Sequence, residues 1–564
     1  MLRLSQGKLE PYSVHFRGIF LCSVAANILV IAPSIHMLQV YDRVLSSRSM
    51  GTLVYLTAIV AFLLVIWGLA DNLRGRIATR AAAKYAVSFA PKIFSHLAQG
   101  KGSATESGKV LRDFSSARSF IGGRAFIALF DLPFIPLYVG IMMLLHWSMA
   151  LIAVIGIAML SALSWLNMRA TEASIEQSRA VENDAIGFAQ AAFQRGEDLR
   201  AGGMLPAMLS IWSRKILHSL TEAESVSGKS GHYHAISKSF RQILQVLMMA
   251  WGAFLVLQNE MSAGMIFMAS MLSGKAFGPI DQVTGGWEQI SKGIASIRDI
   301  DALVGHDRSI SSRMTLPQPE GAIAARNLSY VPNPDHPDRK VLNGVDLDLR
   351  AGEAIVITGT VGAGKSTLLR ILAGAVPPSG GILTLGGVEY SQWPAQQWGQ
   401  LIGYVPQEIE FFPGSIAMNI ARFQPDAAQA SILEAAQLAG AHDMIMGLPD
   451  GYRTVVGTGS FMLSSGQKQK IALARALYGS PRVLILDEPN ANLDQVAESA
   501  LLSAIAQARM KGTSVILAAH RSSVLRVVDR AFVLKGGALV PVGLQRNEKP
   551  AADEAGEADK KVAS

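Results

Sequence analysis

Twenty consecutive residues, Gly51 to Ala70, carry no charge. As a helix such a run is about 30 Å long, the thickness of bilayer hydrocarbon. Five more apolar runs share the same half of the chain: Gly18–Val40, Ala125–Leu145, Met149–Leu166, Gln242–Leu257 and Gly264–Ile280. Six membrane spans are expected, all before about residue 280. Polar residues interrupt some of them: Asn27, His36 and Gln39 in the first, Asp131 with Pro133 and Pro136 in the third, Lys275 in the last. The composition agrees. Half the residues are hydrophobic and only 17% are charged, against about 25% in soluble domains. That excludes a wholly soluble enzyme and a disordered chain. One cysteine, Cys22, excludes an internal disulfide and a multi-cysteine metal site.

The 51 basic residues against 43 acidic ones give a charge of +8. Such an excess suits either nucleic acid or loops beside an anionic membrane, and its distribution favours the second. Asp71 to Gly123 holds nine Lys/Arg and Arg169 to Phe240 holds eight, whereas His146–Ser148 and Gln258–Ala263 hold none. The positive-inside rule places both long loops and both termini in the cytoplasm. No nucleic-acid partner is expected. Both loops carry helical spacing, so the spans are predicted to continue as helices beyond the bilayer. The first apolar run is too long for a signal peptide and lacks a cleavage site, so it is read as retained. The expected organisation is a cytoplasmic segment 1–17, an all-α six-helix transmembrane domain 18–304, a linker 305–318, an α/β P-loop ATPase domain 319–545 and a disordered tail 546–564.

Gly359-Thr360-Val361-Gly362-Ala363-Gly364-Lys365-Ser366-Thr367 fits G-x-x-x-x-G-K-[ST] between a strand-like "AIVITG" and a helix-like "STLLRILAG". Glycines let backbone N–H groups wrap phosphates, and the helix N-terminus adds a favourable dipole. Lys365 supplies a point charge for the β- and γ-phosphates, and Ser366 a hydroxyl for Mg²⁺. Downstream, Val483 to Leu486 reads as a buried strand with Asp487 and Glu488 at its carboxyl end, where open α/β sheets bind ligands. Asp487 suits the Mg²⁺ shell and Glu488 a general base for the attacking water. ATP and Mg²⁺ are thus the expected substrate and cofactor.

Leu463-Ser464-Ser465-Gly466-Gln467 lies between these motifs and resembles the L-S-G-G-Q signature of ABC transporter ATPases. Gln407 in "GYVPQE" resembles the Q-loop, Asp494 in "NANLD" the D-loop and His520 in "ILAAH" the switch histidine. "MLQVYDRVLSSRS", "FDLPFIPLY" and "DEPNANLD" are similar to the type I secretion permease/ATPases, notably the protease-secreting PrtD group. The resemblance implies a half-transporter working as a homodimer. Ser464 to Gln467 of one chain would close on ATP held by the other. Gln407 would meet the γ-phosphate and Mg²⁺, Asp494 would join the nucleotide site, and His520 would orient Glu488 and the water. It further implies export of unfolded proteins with an uncleaved C-terminal signal across the bacterial inner membrane, with a periplasmic membrane-fusion adaptor and an outer-membrane channel as partners. The 17 residues before the first span leave no room for the peptidase-like domain of haemolysin-type relatives.

Three positions depart from that pattern. Ser465 replaces a glycine, Thr458 stands where many exporters have Glu, and Pro332 takes the adenine-stacking position, with Tyr330 as its substitute. Contacts between the two halves are expected near Arg112–Phe120 and Gly196–Met204. Asp131 either lines a polypeptide path or is satisfied by a neighbour such as Arg124. The alternatives are a lipid, peptide or drug exporter of the same architecture, and a non-transporting membrane regulator with an ABC ATPase domain.

Overall fold

The computed structural model describes residues 12–98, 104–305, 315–333, 336, 338–457, 462–490, 495–519 and 522–543. The chain divides into two compact units, Met1–Ser309 and Ile310–Ser564.

Among the described residues every regular element of the first unit is helical. α1 (Ser13–Leu29), α2 (Ala32–Gln39), a π-helical turn (Val40–Val44) and α3 (Leu45–Ser47) form one nearly continuous rod. Then come α4 (Met50–Ala98), α5 (Ala104–Ile121), α6 (Arg124–Leu129), α7 (Ile135–Leu145), α8 (Trp147–Gln194), α9 (Gly196–Ala201), α10 (Leu205–Leu257), α11 (Ala263–Gly285) and α12 (Trp287–Gly305). Among the described residues five helical stretches are long and apolar enough to cross a membrane: Ser13–Ser47, Met50–Ala98, Arg124–Leu145, Trp147–Phe193 and Leu205–Leu257. α4, α8 and α10 run 49, 48 and 53 residues, far beyond the apolar runs within them. The continuing residues are strong helix formers with few breakers, so the rods persist where the apolar stripe ends. α11, the sixth expected span, differs. Its apolar residues, among them Met268, Leu272, Phe277 and Ile280, are buried against α2, α7, α8 and α10.

Several polar residues inside this unit are paired. Asp131 sits where the third span breaks into a 3₁₀ turn (Leu132–Phe134) ahead of Pro136. Its partner is Arg74, at 2.6 Å, not the expected Arg124. Asn27 donates to the same carboxylate at 2.8 Å, and Tyr138 donates to Asn27 Oδ1 at 2.7 Å. Lys275 is exposed. Asp42, on the π-helical turn, accepts from the Gly264 N–H at 2.9 Å and from the Ser262 hydroxyl at 2.5 Å, at the start of α11.

Arg112–Phe120 is helical, within α5, with Ser115, Ser116, Arg118 and Ser119 exposed on one side. Asp113, Ala117 and Phe120 are buried, and Asp113 pairs with Arg179 of α8 and with Ser296 of α12. Gly196–Met204 does form a short helix and turn between α8 and α10.

The second unit holds three sheets. β1 (Ile323–Tyr330), β2 (Leu342–Leu349), β4 (Gly380–Leu385) and β5 (Val388–Glu389) form an antiparallel sheet in the order β2-β1-β4-β5. β3 (Ala354–Thr358), β6 (Ile402–Val405), β9 (Val483–Asp487), β10 (Ser514–Ala518), β11 (Arg530–Lys535) and β12 (Ala538–Val542) form the main sheet, β12-β11-β3-β10-β9-β6. Its strands are parallel except for β12. β7 (Gly414–Ser415) and β8 (Val455–Val456) make a small ribbon. The helices are α13 (Lys365–Leu372), α14 (Ala395–Leu401), α15 (Ile416–Ile420), α16 (Gln429–Leu438), α17 (His442–Met446), α18 (Ser465–Leu477) and α19 (Gln495–Met510).

Central parallel strands are buried on both faces and so read as continuous apolar runs. Alternate residues feed two cores. Val356, Leu484, Leu486, Val515 and Leu517 join α16, α18 and α19, while Ile355, Ile357, Val483, Ile485 and Ile516 join α13 and the antiparallel sheet.

Candidate active site

The site lies at the carboxyl edge of β3, β9 and β10. β3 ends at Thr358, and residues 359–364 turn the chain into α13. Gly364 has φ +99°, and a Cβ there would lie 3.0 Å from Val341 Cγ1. A Cβ on Gly359 would lie 2.7 Å from the Leu534 carbonyl oxygen. Both positions need glycine for space, and Gly364 needs it for its backbone as well. The loop therefore stays tight, with Lys365 as the first residue of α13.

Lys365 is only 6% exposed. Its ammonium donates to the carbonyls of Gly359 (3.0 Å) and Thr360 (3.2 Å), folding back across the loop it follows. A buried ammonium with only backbone carbonyls as recorded acceptors is poised to exchange them for an anion. Val361 is exposed at the rim.

Four more side chains converge one helical position further on. The Ser366 hydroxyl lies 3.2 Å from Asp487 Oδ1 and 3.5 Å from Gln407 Oε1. Gln407 Nε2 donates to Glu488 Oε2 at 3.3 Å. A hydroxyl, an amide carbonyl and a carboxylate form a hard oxygen set that fits Mg²⁺. Asp487 is 2% exposed. Burial pushes its carboxyl above the ordinary carboxylate range; the Ser366 hydrogen bond opposes this, the neighbouring Glu488 charge adds to it, and Lys365 and Arg370 oppose it. A cation would favour the ionised form further.

Glu488 has a left-handed backbone, φ +48°, and its N–H donates to the Ala518 carbonyl at 3.0 Å. For a non-glycine residue that conformation costs about 1–3 kcal/mol and collects at functional sites. It turns the chain off the end of β9 and leaves the Glu488 carboxylate beside Gln407.

Ser464 caps α18. Its hydroxyl accepts from the Gln467 N–H at 3.3 Å, while Gln467 Oε1 accepts from the Ser464 N–H at 2.9 Å, a reciprocal capping box. Ser465 is exposed, and a Cβ on Gly466 would meet nothing within 4 Å. α18 runs back toward the start of β9, so its N-terminus opens at the carboxyl edge of the sheet. Among the described residues, Ser464 to Gln467 make no hydrogen bond to the Lys365–Glu488 group. Tyr330 ends β1, half-buried, and its carbonyl accepts from the Val341 N–H at 2.9 Å; Val341 in turn faces Gly364. Pro332 is exposed. Asp494, His520 and Thr458 lie outside the described residues, as do 306–314 of the linker and all of 546–564. Sequence reasoning missed Asn490, Glu498 and Ser523, which are bonded to one another just beyond Glu488.

A phosphate loop, two acidic residues ending the neighbouring strand and a capped small-residue helix start, carried beside a unit of long apolar helices, define an ABC transporter with ATPase and membrane parts in one chain. Residues 342–491 match the ABC transporter family. The fold is shared with a bacterial Atm1-family ABC exporter determined with ATP bound, at a TM-score of 0.82 and 20% identity over 93% of this chain and 94% of that one. Relatives narrow the class. The type I secretion system ATP-binding protein PrsD of Rhizobium meliloti (strain 1021) is 36% identical over 531 residues, 94% of this chain and 91% of PrsD. The leukotoxin translocation ATP-binding protein LktB of Mannheimia glucosida is 28% identical over 551 residues, 94% of this chain and 76% of LktB. The chain belongs to the type I secretion ATP-binding proteins, ABC transporters that couple ATP hydrolysis to transport.

Proposed function

We propose that two copies of this chain form an exporter that moves unfolded proteins bearing a C-terminal signal across a bacterial inner membrane. The observation that carries this reading is the convergence of Lys365, Ser366, Gln407, Asp487 and Glu488 at one corner of the sheet. Lys365 and the 359–364 backbone hold the phosphates of ATP, and Tyr330 is the proposed contact for the adenine. Ser366, Gln407 and Asp487 hold Mg²⁺, which when bound neutralises phosphate charge. Glu488 accepts a proton from the attacking water, and His520 orients both.

Among the described residues of one copy, the start of α18 makes no hydrogen bond to the Lys365–Glu488 group. The open N–H groups at the start of α18 are suited to the γ-phosphate of a partner's ATP. Ser464, Ser465, Gly466, Gln467 and Asp494 would complete the site from across the dimer. ATP then favours the closed pair, and loss of phosphate releases it.

The helical unit supplies six spans in each copy, five from the long apolar stretches and one from α11. Both termini are cytoplasmic, lipids surround the unit, and a periplasmic adaptor and an outer-membrane channel continue the route. Membership among type I secretion proteins and relatives named for secretion and for leukotoxin translocation support this over a lipid, peptide or drug cargo.

Glu488→Gln tests the site. It keeps the Gln407 contact in reach, removes the base, and is expected to lower ATP turnover by about 10²–10⁴-fold while fluorescent-ATP binding stays within threefold. Wild-type turnover in that variant defeats the assignment of the base. For the cargo, a C-terminal peptide from a secreted protein encoded beside this chain is expected to change the ATPase rate of the reconstituted protein, and a lipid or drug is not.

A further inference from the structure

The part of the site that the motifs leave unexplained is how separate segments keep their places. Glu488 follows the end of β9, and Ala519 follows the end of β10 at the same edge of the sheet. One backbone tether, the Glu488 N–H to the Ala518 carbonyl, joins the two strands there.

A second tether lies further out. Glu498 stands in the first turn of α19, where a carboxylate is favoured by the unsatisfied N–H groups of the helix start. Its Oε1 accepts from Asn490 Nδ2 at 3.4 Å and from the Ser523 hydroxyl at 2.5 Å. Asn490 is 3% exposed and lies two residues beyond Glu488. Ser523 lies three residues beyond His520. One oxygen therefore touches the chain just past the base and just past the switch histidine.

We infer that Glu498 is a positioning residue for hydrolysis: its carboxylate binds Asn490, two residues past Glu488, and Ser523, past the end of β10, and so holds these two segments together. The inference rests on the proposed roles of Glu488 and His520. The carboxylate acts through the segments of Asn490 and Ser523. Hydrogen bonds to a charged acceptor are the stronger kind, and these two are part-buried. The left-handed backbone at Glu488 adds reason for an external restraint, because a strained segment relaxes unless its surroundings hold it.

The test uses the full-length protein in detergent or proteoliposomes. Glu498→Ala is expected to lower kcat for ATP by about ten- to a hundredfold, the range for losing charged hydrogen bonds, with KM for ATP within twofold of wild type. Glu498→Gln keeps an acceptor oxygen for both partners and should restore at least half the activity. Ser523→Ala alone should lower kcat by a smaller factor, and the Glu498→Ala/Ser523→Ala pair should fall no lower than Glu498→Ala itself, since both act through one contact. A purely structural role would lower yield and raise KM together, and Glu498→Gln would not rescue kcat. A double variant whose losses multiply overturns the inference. If Glu498→Ala does not fold, Ser523→Ala and Glu498→Gln decide alone: Ser523→Ala at full kcat overturns the inference. Glu488→Gln is run beside them. If it keeps wild-type turnover, the reading of the base has failed rather than the tether.

Discussion

Arg74→Met isolates one buried charge and gives a magnitude that can be worked out beforehand. Arg74 and Asp131 approach to 2.6 Å with side chains only 13% and 14% exposed. The other Arg74 contacts are to Asp71 at 2.6 Å and to the Ser23 hydroxyl at 3.2 Å, and Asp131 also receives Asn27 at 2.8 Å. Methionine keeps most of the Arg74 stem and removes the charge. Asp131 is then left with Asn27 as its recorded donor. Breaking a buried ion pair from one side costs about 3–5 kcal/mol, and the Asn27 bond returns about 1 kcal/mol or more of that. A net loss of about 2–4 kcal/mol is expected, or roughly a 4–8 °C fall in the unfolding temperature at about 2 °C per kcal/mol for a large unit. Adding Asp131→Leu removes the stranded carboxylate. A neutral pair of similar volume is often no worse than the ion pair, so the double variant should recover at least half of the lost stability. The assay is intrinsic-fluorescence melting of the purified protein in detergent, with all four members of the cycle. An unchanged midpoint in Arg74→Met, or a double variant as unstable as the sum of the single ones, refutes the pairing as the reason these charges are tolerated.

The site gives two further expectations beside those for Glu488 and Glu498. Asp487 titrates above the ordinary carboxylate range because it is buried and faces Glu488; its ionised form is the one that holds Mg²⁺, so Mg·ATP binding weakens as pH falls through that raised value, and Glu488→Gln, by removing a like charge, should move the acidic limb of a fluorescent-ATP binding profile to lower pH. Ser464→Ala removes the cap of α18 and half of its capping box, which should cost about 1 kcal/mol of stability and lower turnover; Ser464→Asp should keep the melting temperature yet lose turnover, because a carboxylate caps the helix but repels a γ-phosphate.

Much of the candidate site was legible because its chemistry is local in sequence. Residues 359–367 carry their own turn, cradle and helix start, and Val483 to Glu488 carry a strand with its acids at the ligand-binding end. The apolar stretches were equally plain, since twenty uncharged residues leave a helix few other fates. What stayed hidden was long-range pairing. Nothing in the spacing links Asp131 to Arg74, 57 positions away, and proximity along the chain pointed to Arg124 instead. The helical spacing of Arg112–Phe120 was readable, but not that its Asp113 turns inward to Arg179 across 66 positions. Glu498 reads as an ordinary exposed helix-start acid until Asn490 and Ser523 are brought to it. Periodicity reports which side of a helix is apolar; it does not report which polar residue on another helix will meet the exception.

The contact of Asp42 with Ser262 and Gly264 spans 220 and 222 positions. A ribosome has finished the first rod long before it reaches the residues that complete this clasp. Throughout that interval the carboxylate on the π-helical turn lacks these two partners, and the helical unit cannot lock until α11 is threaded into place. Assembly of this unit is therefore closed late, by α11, which fastens onto the rod made first.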